Sequence, residues 1–178
     1  MRIIAGEFKG RKLESPKDDS VRPTADKVKE AMFSILQNYI YDGVFCDLFA
    51  GSGGLGLEAV SRGAKKVYFC DIAASSIEVL NKNIETCRAE EKSVVFRGDF
   101  KTFLNSIDDK IDVFLLDPPY RIGYIEEAMK VIKDMDLLAE EGIIVAEHPK
   151  EENFQDEIYG FKKIKEKKYG RLVLSIFI

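Results

Sequence analysis

The feature that most constrains this chain is a glycine-rich stretch, Asp47-Leu48-Phe49-Ala50-Gly51-Ser52-Gly53-Gly54-Leu55-Gly56, set on the end of the apolar run Val44–Phe49. The apolar run reads as a buried strand, and Leu57, Ala59 and Val60 after the glycines read as a helix. Four glycines in one strand-to-helix turn carry an entropy penalty that a plain structural turn does not require. They let the backbone turn tightly and aim helix amides at a ligand.

The rest of the chain repeats the same alternation. Lys66–Cys70, Ser93–Phe96, Ile111–Leu116 and Ile143–Ala146 read as further strands. Helical spacing separates them: Ile77, Leu80, Ile84 and Cys87; the short Phe100–Ser106; then Ile125, Ala128, Met129 and Ile132. Strands alternating with helices predict a parallel sheet covered on both faces. Ile158–Lys167 and Tyr169–Ile178 have no helix between them and predict an antiparallel pair ending the sheet. At the start, Arg2–Gly6 and Gly10–Leu13 read as a hairpin turning through Glu7–Gly10. Pro16–Pro23 reads as a loop. Thr24 is placed to cap a helix whose apolar face is Val28, Ala31, Met32, Ile35 and Leu36. The expected architecture is α/β, a Rossmann-like, mostly parallel seven-stranded sheet with an antiparallel C-terminal hairpin. A small N-terminal hairpin-helix extension (residues 1–40) precedes the main domain (residues 41–178).

Ligands of such sheets bind beyond the carboxyl ends of the strands. Gly51, Gly53 and Gly56 match G-x-G-x-x-G, which suits a dinucleotide as well as S-adenosylmethionine. The loop residues expected to bind the cofactor are Asp47, Phe49, Ala50, Gly51, Ser52, Gly53 and Leu55. Asp71 ends the second strand, 20 residues after Gly51, where a carboxylate accepts ribose hydroxyls. Asp99 ends the third and can accept an adenine amine, with Ile72 or Phe100 against the ring; it can equally cap the helix that begins at Phe100.

Asp117-Pro118-Pro119-Tyr120, directly after the fourth strand, separates the two cofactors. The prolines fix the backbone and remove amide donors. What remains are acceptors, the Asp117 carboxylate and the Pro118 carbonyl, with the Tyr120 ring for stacking. An exocyclic base amine needs this set, because its lone pair is delocalised into the ring. Two acceptors on its N–H groups can turn that lone pair towards a methyl sulfonium, and proximity supplies most of the rate. A dehydrogenase has no use for the motif.

The net charge of −4 argues at first against a nucleic-acid partner. Its distribution does not. Residues 1–29 carry net +3 and residues 162–171 net +5, leaving −12 between them. The second cluster suits a polyanion-binding face or a strand edge protected by lysine. The only histidine, His148, excludes a His-rich metal cluster, so no metal is expected. Cys46, Cys70 and Cys87 contain no CxxC pair, and Cys46 and Cys70 read as small buried hydrophobes. The absence of a long apolar segment predicts a cytoplasmic protein without a membrane partner.

With these residues in place the chain resembles the RsmD family of 16S rRNA (guanine-N2)-methyltransferases over nearly its whole length. The opening Arg2–Gly6 with Gly10-Arg11 is similar to that family's hairpin. Val21-Arg22-Pro23-Thr24 with Glu30–Phe33 is similar to its R-P-T helix. Asp47–Ala59 with Ser61-Arg62-Gly63-Ala64 is similar to its cofactor loop and helix, and Asp117–Tyr120 to its catalytic motif. Asp71 stands where the family usually has glutamate. The resemblance implies a class I methyltransferase fold and S-adenosyl-L-methionine as methyl donor. It also implies methylation of one guanine N2 in 16S rRNA, on an assembled or partly assembled small subunit, with no obligatory protein partner evident. Arg2, Lys9, Arg11, Lys12, Arg22 and Arg121 are the candidates for holding the RNA backbone around an extruded guanine. The alternatives are a DNA adenine-N6 or cytosine-N4 methyltransferase, a catalytically inactive RNA-binding relative, and a nucleotide-dependent oxidoreductase.

Overall fold

The structure, a computed structural model, describes residues 1–15, 26–119 and 123–178. The Pro16–Pro23 loop and the Thr24 cap lie outside the described residues, as do Arg22, Tyr120 and Arg121. The strands are β1 (Val44–Asp47), β2 (Lys66–Asp71), β3 (Ser93–Arg97), β4 (Ile111–Leu116), β5 (Leu138–Pro149), β6 (Glu157–Ile158), β7 (Phe161–Tyr169) and β8 (Leu172–Phe177). The helices are α1 (Asp26–Ile35), α2 (Gln37–Ile40), α3 (Gly56–Ser61), α4 (Ala74–Cys87), α5 (Phe100–Leu104) and α6 (Tyr124–Asp134).

The strands form one sheet in the order β3-β2-β1-β4-β5-β8-β7-β6. β1 to β5 pair in parallel, and β8 joins β5 antiparallel, as does β7 with β8. The seven runs of the sequence are all strands, and an eighth, β6, was not expected. It is a two-residue strand closed onto β7 by Tyr159 and Gly160, both at positive φ, the geometry of a tight hairpin turn. Two residues are too few to leave a periodic signal. β5 also starts earlier than the expected Ile143, because Leu138 pairs with Ile111 ahead of a register shift.

Alternate strand residues point to opposite faces, and each face has its own core. Phe45, Val67, Phe69, Val113, Leu115, Val145, Leu174 and Ile176 pack with α1, α3 and α4. Cys46, Cys70, Phe114, Leu116, Ile144, Ala146 and Phe177 pack with α5 and α6. Cys46 and Cys70 are buried, as read from the sequence, and burial pushes the Cys70 thiol up to about 12.

The first residues form the expected hairpin in a short form, with Leu13 N–H donating to Met1 O at 2.9 Å. Arg2 and Lys12 form an isolated antiparallel bridge, and Ile3 N–H donates to Arg11 O at 3.0 Å. Ile3, Phe8 and Leu13 bury themselves in the core shared with α1 and α3. The anchor is Glu58 on α3, whose carboxylate accepts from the backbone N–H groups of Ile4 (2.8 Å) and Ala5 (3.0 Å). It also pairs with Lys29 and Arg62. This pairing corrects the expected face of α1. Lys29 and Phe33 are buried with Val28, Met32 and Leu36, whereas Ala31 and Ile35 are only partly so. An amphipathic reading counts lysine as outward-facing and so misses the turn of the helix towards Glu58.

Candidate active site

The carboxyl ends of the strands bring together one acidic group after another. β1 ends at Asp47, β2 at Asp71, and Asp99 and Asp117 follow β3 and β4. Leu116 pairs with Ala146, so Asp117 stands level with Glu147 of β5.

Two of these carboxylates hold the glycine loop. Asp47 Oδ2 accepts from Gly56 N–H at 2.8 Å, and Asp71 Oδ2 accepts from Gly51 N–H at 2.8 Å. Asp71 Oδ1 accepts from Ala73 N–H at 2.8 Å, so one side chain fixes both the loop and the start of α4. Two glycines are required by contact. Gly53 has φ +83°, and a Cβ there would lie 2.4 Å from Leu80 Cδ1. A Cβ at Gly56 would lie 2.2 Å from the Phe69 ring, so its absence lets α3 close onto β2. Asn83 of α4, which the sequence reading missed, donates to Ser52 O at 2.9 Å and braces the loop from behind. An asparagine inside an apolar helical face was the available signal.

Asp47 is 1% exposed. Burial raises its carboxyl to about 7, with the negative charges of Asp117 and Asp71 adding to the shift and the Gly56 N–H opposing it. Asp47, Ala50, Ser52, Gly53, Leu55 and Phe100 are buried and shape the site from beneath. Phe49, Gly51 and Asp71 are half-buried, Asp99 is exposed, and Ile72 is an apolar side chain left 73% exposed beside Asp71. Asp99 Oδ1 caps α5, accepting from Lys101 N–H (2.9 Å) and Thr102 N–H (3.3 Å), which realises the capping alternative. Phe100 meets Phe49 at 5.4 Å between centroids, and Phe49 lies nearly parallel to Tyr124 at 6.1 Å. Tyr124, at the head of α6, is an aromatic of this edge that the sequence reading did not single out.

Asp117 and Pro118 are half-buried and Pro119 is exposed. They line a shallow depression with Glu147, His148, Pro149, Glu152 and Leu172. His148 is a core side chain, its Nε2 2.9 Å from Ser175 Oγ. A cleft of about 970 Å³ opens at the opposite end of the sheet, between Gly43, Asp112 and Leu138, and holds none of the residues singled out.

Of the described basic candidates, Arg2 and Lys12 face each other across their bridge, whereas Lys9 and Arg11 are held elsewhere. α3 and α4 both start at the carboxyl edge, so their last residues point away from it. Glu7 N–H donates to Ser61 O and Phe8 N–H to Ser61 Oγ, at the end of α3. Arg11 Nη1 donates to Thr86 O at 2.7 Å near the end of α4, and its guanidinium sits 5.0 Å from the Phe8 ring centroid. Lys9 and Arg11 are therefore distant from Asp117. Arg2, with Nε 3.0 Å from Asp26 Oδ2, and the exposed Lys12 lie nearer, because Met1 packs on Gly54.

A family model described as conserved hypothetical protein 95 matches residues 1–178. Ribosomal RNA small subunit methyltransferase D of Haemophilus influenzae is 37% identical over 155 residues, 85% of this chain and 80% of that protein. Its Escherichia coli namesake is 33% identical, over 99% of this chain and 89% of that protein. The solved structure of Escherichia coli yhhF superposes with a TM-score of 0.89 at 32% identity, covering 99% of this chain and 96% of that one. With its whole length matched by the family model and nearly all of it by these relatives, the chain belongs to the conserved hypothetical protein 95 family, the RsmD family that its motifs resemble.

Proposed function

We propose that this chain transfers a methyl group from S-adenosyl-L-methionine to the exocyclic N2 amine of one guanine in 16S rRNA, on an assembled or partly assembled small subunit. The relatives' names support ribosomal RNA methylation. The observation that carries the choice of cofactor is who holds the loop amides. A dinucleotide's phosphates bind to the free N–H groups of such a turn. Here Gly51 N–H and Gly56 N–H are held by Asp71 and Asp47, and the negative charges at this edge are those of Asp71 and Asp117. Anionic phosphates are disfavoured at this edge, and a cationic sulfonium with an ammonium group is favoured.

Asp71 is the candidate acceptor for the ribose hydroxyls, since each of its oxygens keeps a second lone pair beyond its backbone bond. Ile72, Asp99 and Phe100 are the candidates for the adenine. When bound, S-adenosylmethionine supplies an electrophilic methyl group on sulfur. The chain's own part is orientation. Asp117 and the Pro118 carbonyl accept the two N–H bonds of the guanine amine and turn its lone pair out of conjugation, and Tyr120 stacks on the base. The amine becomes acidic as it is alkylated, so Asp117 can take the proton without being a strong base. In this reading residues 1–40 form an extension on the catalytic domain of residues 41–178, and a ribosomal substrate places the reaction in the bacterial cytoplasm.

The test is labelled methyl transfer to 16S rRNA and to small subunits lacking the modification, followed by mapping of the product. Label on a single guanine N2 is expected. Label on a DNA adenine or cytosine amine, or on no nucleic acid, would overturn the assignment.

A further inference from the structure

The lysine-rich strand β7 does not belong to the site described so far, yet its register leads to it. β8 runs antiparallel to β5, with Leu172 opposite Pro149, and Tyr169 of β7 is opposite Leu172. The turn from Tyr169 to Arg171 therefore lies at the carboxyl edge. Lys150 N–H donates to Arg171 O at 3.0 Å, and Leu172 lines the depression beside Asp117 and Pro118. Across β8, Lys167 is level with Glu147, and Lys168 with His148. Three strand spacings of about 4.8 Å put this end of β7 roughly 14 Å from β4, which leads into Asp117. Lys162, opposite Glu157 of β6, lies at the other end of the sheet.

The outer edge of β7 is covered by β6 and Asp156 at Phe161, Lys162 and Lys163, and Lys165, Lys167 and Lys168 are exposed. An uncovered edge needs charge to prevent pairing with another chain, and lysine is the usual choice. Residues 162–171 carry six basic side chains and one acidic, in a chain of net charge −4. Glu166 engages Lys163 at 3.4 Å and Lys168 at 3.6 Å. Lys150 lies 4.0 Å from Glu151. Lys165, Lys167 and Arg171 enter no ion pair among the described residues. Lys165 and Lys167 are opposite Ile176 and Leu174, so they project on the α1 face of the sheet. Edge protection accounts for lysine along β7; it does not account for the basic Arg171 and Lys150, which lie beyond the ladder and next to the depression that holds Asp117.

We propose that Lys165, Lys167 and Arg171, with Lys150 and Lys168 beside them, form a track for the RNA backbone flanking the target nucleotide. The proposal rests on the RNA-methylating reading above. A guanine whose amine reaches Asp117 has left its stack, so its flanking phosphates must be held by other groups. Lys9 and Arg11 face away from that corner, whereas the β7–β8 turn reaches it. A track of this kind reads charge and carries no base specificity.

The experiment compares wild type with the double variant Lys165→Gln/Lys167→Gln and with Lys162→Gln. Binding to unmodified 16S rRNA transcript is measured across a salt series, together with methyl-transfer kinetics and thermal stabilisation by S-adenosylhomocysteine. Losing two phosphate contacts on single-stranded RNA makes the log–log salt slope shallower by about 1.4. The double variant is expected to show that change and a raised KM for RNA. Its kcat at saturating RNA and its response to S-adenosylhomocysteine should match wild type, and Lys162→Gln should keep the wild-type slope. An unchanged slope and KM in the double variant, or an equal change in Lys162→Gln, overturns the track while leaving the functional reading intact. A wild-type protein that neither binds nor methylates rRNA overturns both.

Discussion

Lys29 Nζ lies 3.3 Å from Glu58 Oε2, and both side chains are fully buried. The pair is the join between α1, α3 and the first residues of the chain. Lys29 also donates to Arg2 O, and Glu58 holds the Ile4 and Ala5 amides. Burial pulls the Lys29 ammonium below its ordinary range, against the opposing attraction of Glu58. Removing one partner of a buried pair leaves a charge without its counterion and typically costs about 3–5 kcal/mol. Arg62 still meets Glu58 at 2.8 Å, so Lys29→Met belongs at the lower end, roughly 3 kcal/mol. Urea denaturation measures it. A loss below about 1 kcal/mol would mean that Arg62 and the two amides suffice for Glu58.

Asp47 gives a pH signature. Its folded-state carboxyl titrates at about 7, raised by burial and by Asp117 and Asp71, against an ordinary value of 3.8. Between those values the folded chain holds a proton that the unfolded chain has released. This contribution to stability is therefore full below about pH 4 and is lost as pH rises to about 7. Asp47→Asn keeps an acceptor for Gly56 N–H without the charge. Its stability advantage over wild type should be greater at pH 8 than at pH 5, by on the order of 2 kcal/mol. Chemical denaturation at the two pH values decides; parallel pH dependences would remove the buried-carboxyl account.

Asp71 should control cofactor binding. S-adenosylhomocysteine is expected to raise the melting temperature of the wild type, because a ligand that binds only the folded state stabilises it. NADH is expected to leave it unchanged. Asp71→Ala frees the Gly51 and Ala73 amides and removes the ribose acceptor, so the S-adenosylhomocysteine shift should largely disappear. Stabilisation by NADH in place of S-adenosylhomocysteine would reverse the cofactor assignment.

Asp117 should act on turnover and not on cofactor affinity. Asp117→Ala is expected to retain the S-adenosylhomocysteine shift and to lower methyl transfer by orders of magnitude, since the lost contact matters at the transition state. Tyr120→Ala should lose the stacking of the base, a contact worth roughly 1–3 kcal/mol. Single-turnover methyl transfer reads both. Near-wild-type rates in Asp117→Ala would remove the carboxylate from the proposed role.

Much of this was legible because local patterns carry it. The apolar runs of β1, β2 and β4 were long enough to declare buried strands, and the glycines after Asp47 declared the turn between β1 and α3. The absence of a helix between the last two runs declared the antiparallel finish. Less legible were features whose signal is weak or reversed. A two-residue β6 has no period to detect, and a buried Lys29 contradicts the amphipathic rule used to find α1's face. Asp99 offers capping and ligand binding equally in the sequence, and the Lys101 and Thr102 amides on its Oδ1 show that it caps α5.

Sequence by itself determined which residues could do chemistry and at which strand ends they stand, because motif spacing and strand order are properties of the chain. Only the tertiary structure decided how those residues are used. Asp47 and Asp71 occupy the loop amides, a fact that depends on where β1 and β2 place their ends relative to α3. Likewise, the basic residues at the start and finish of the chain look equivalent as charge clusters. Packing on α3 and α4 turns Lys9 and Arg11 away from Asp117, while antiparallel pairing with β5 brings Arg171 and Lys167 to its side of the sheet. Direction along a sheet is set by long-range pairing, and no local window of sequence contains it.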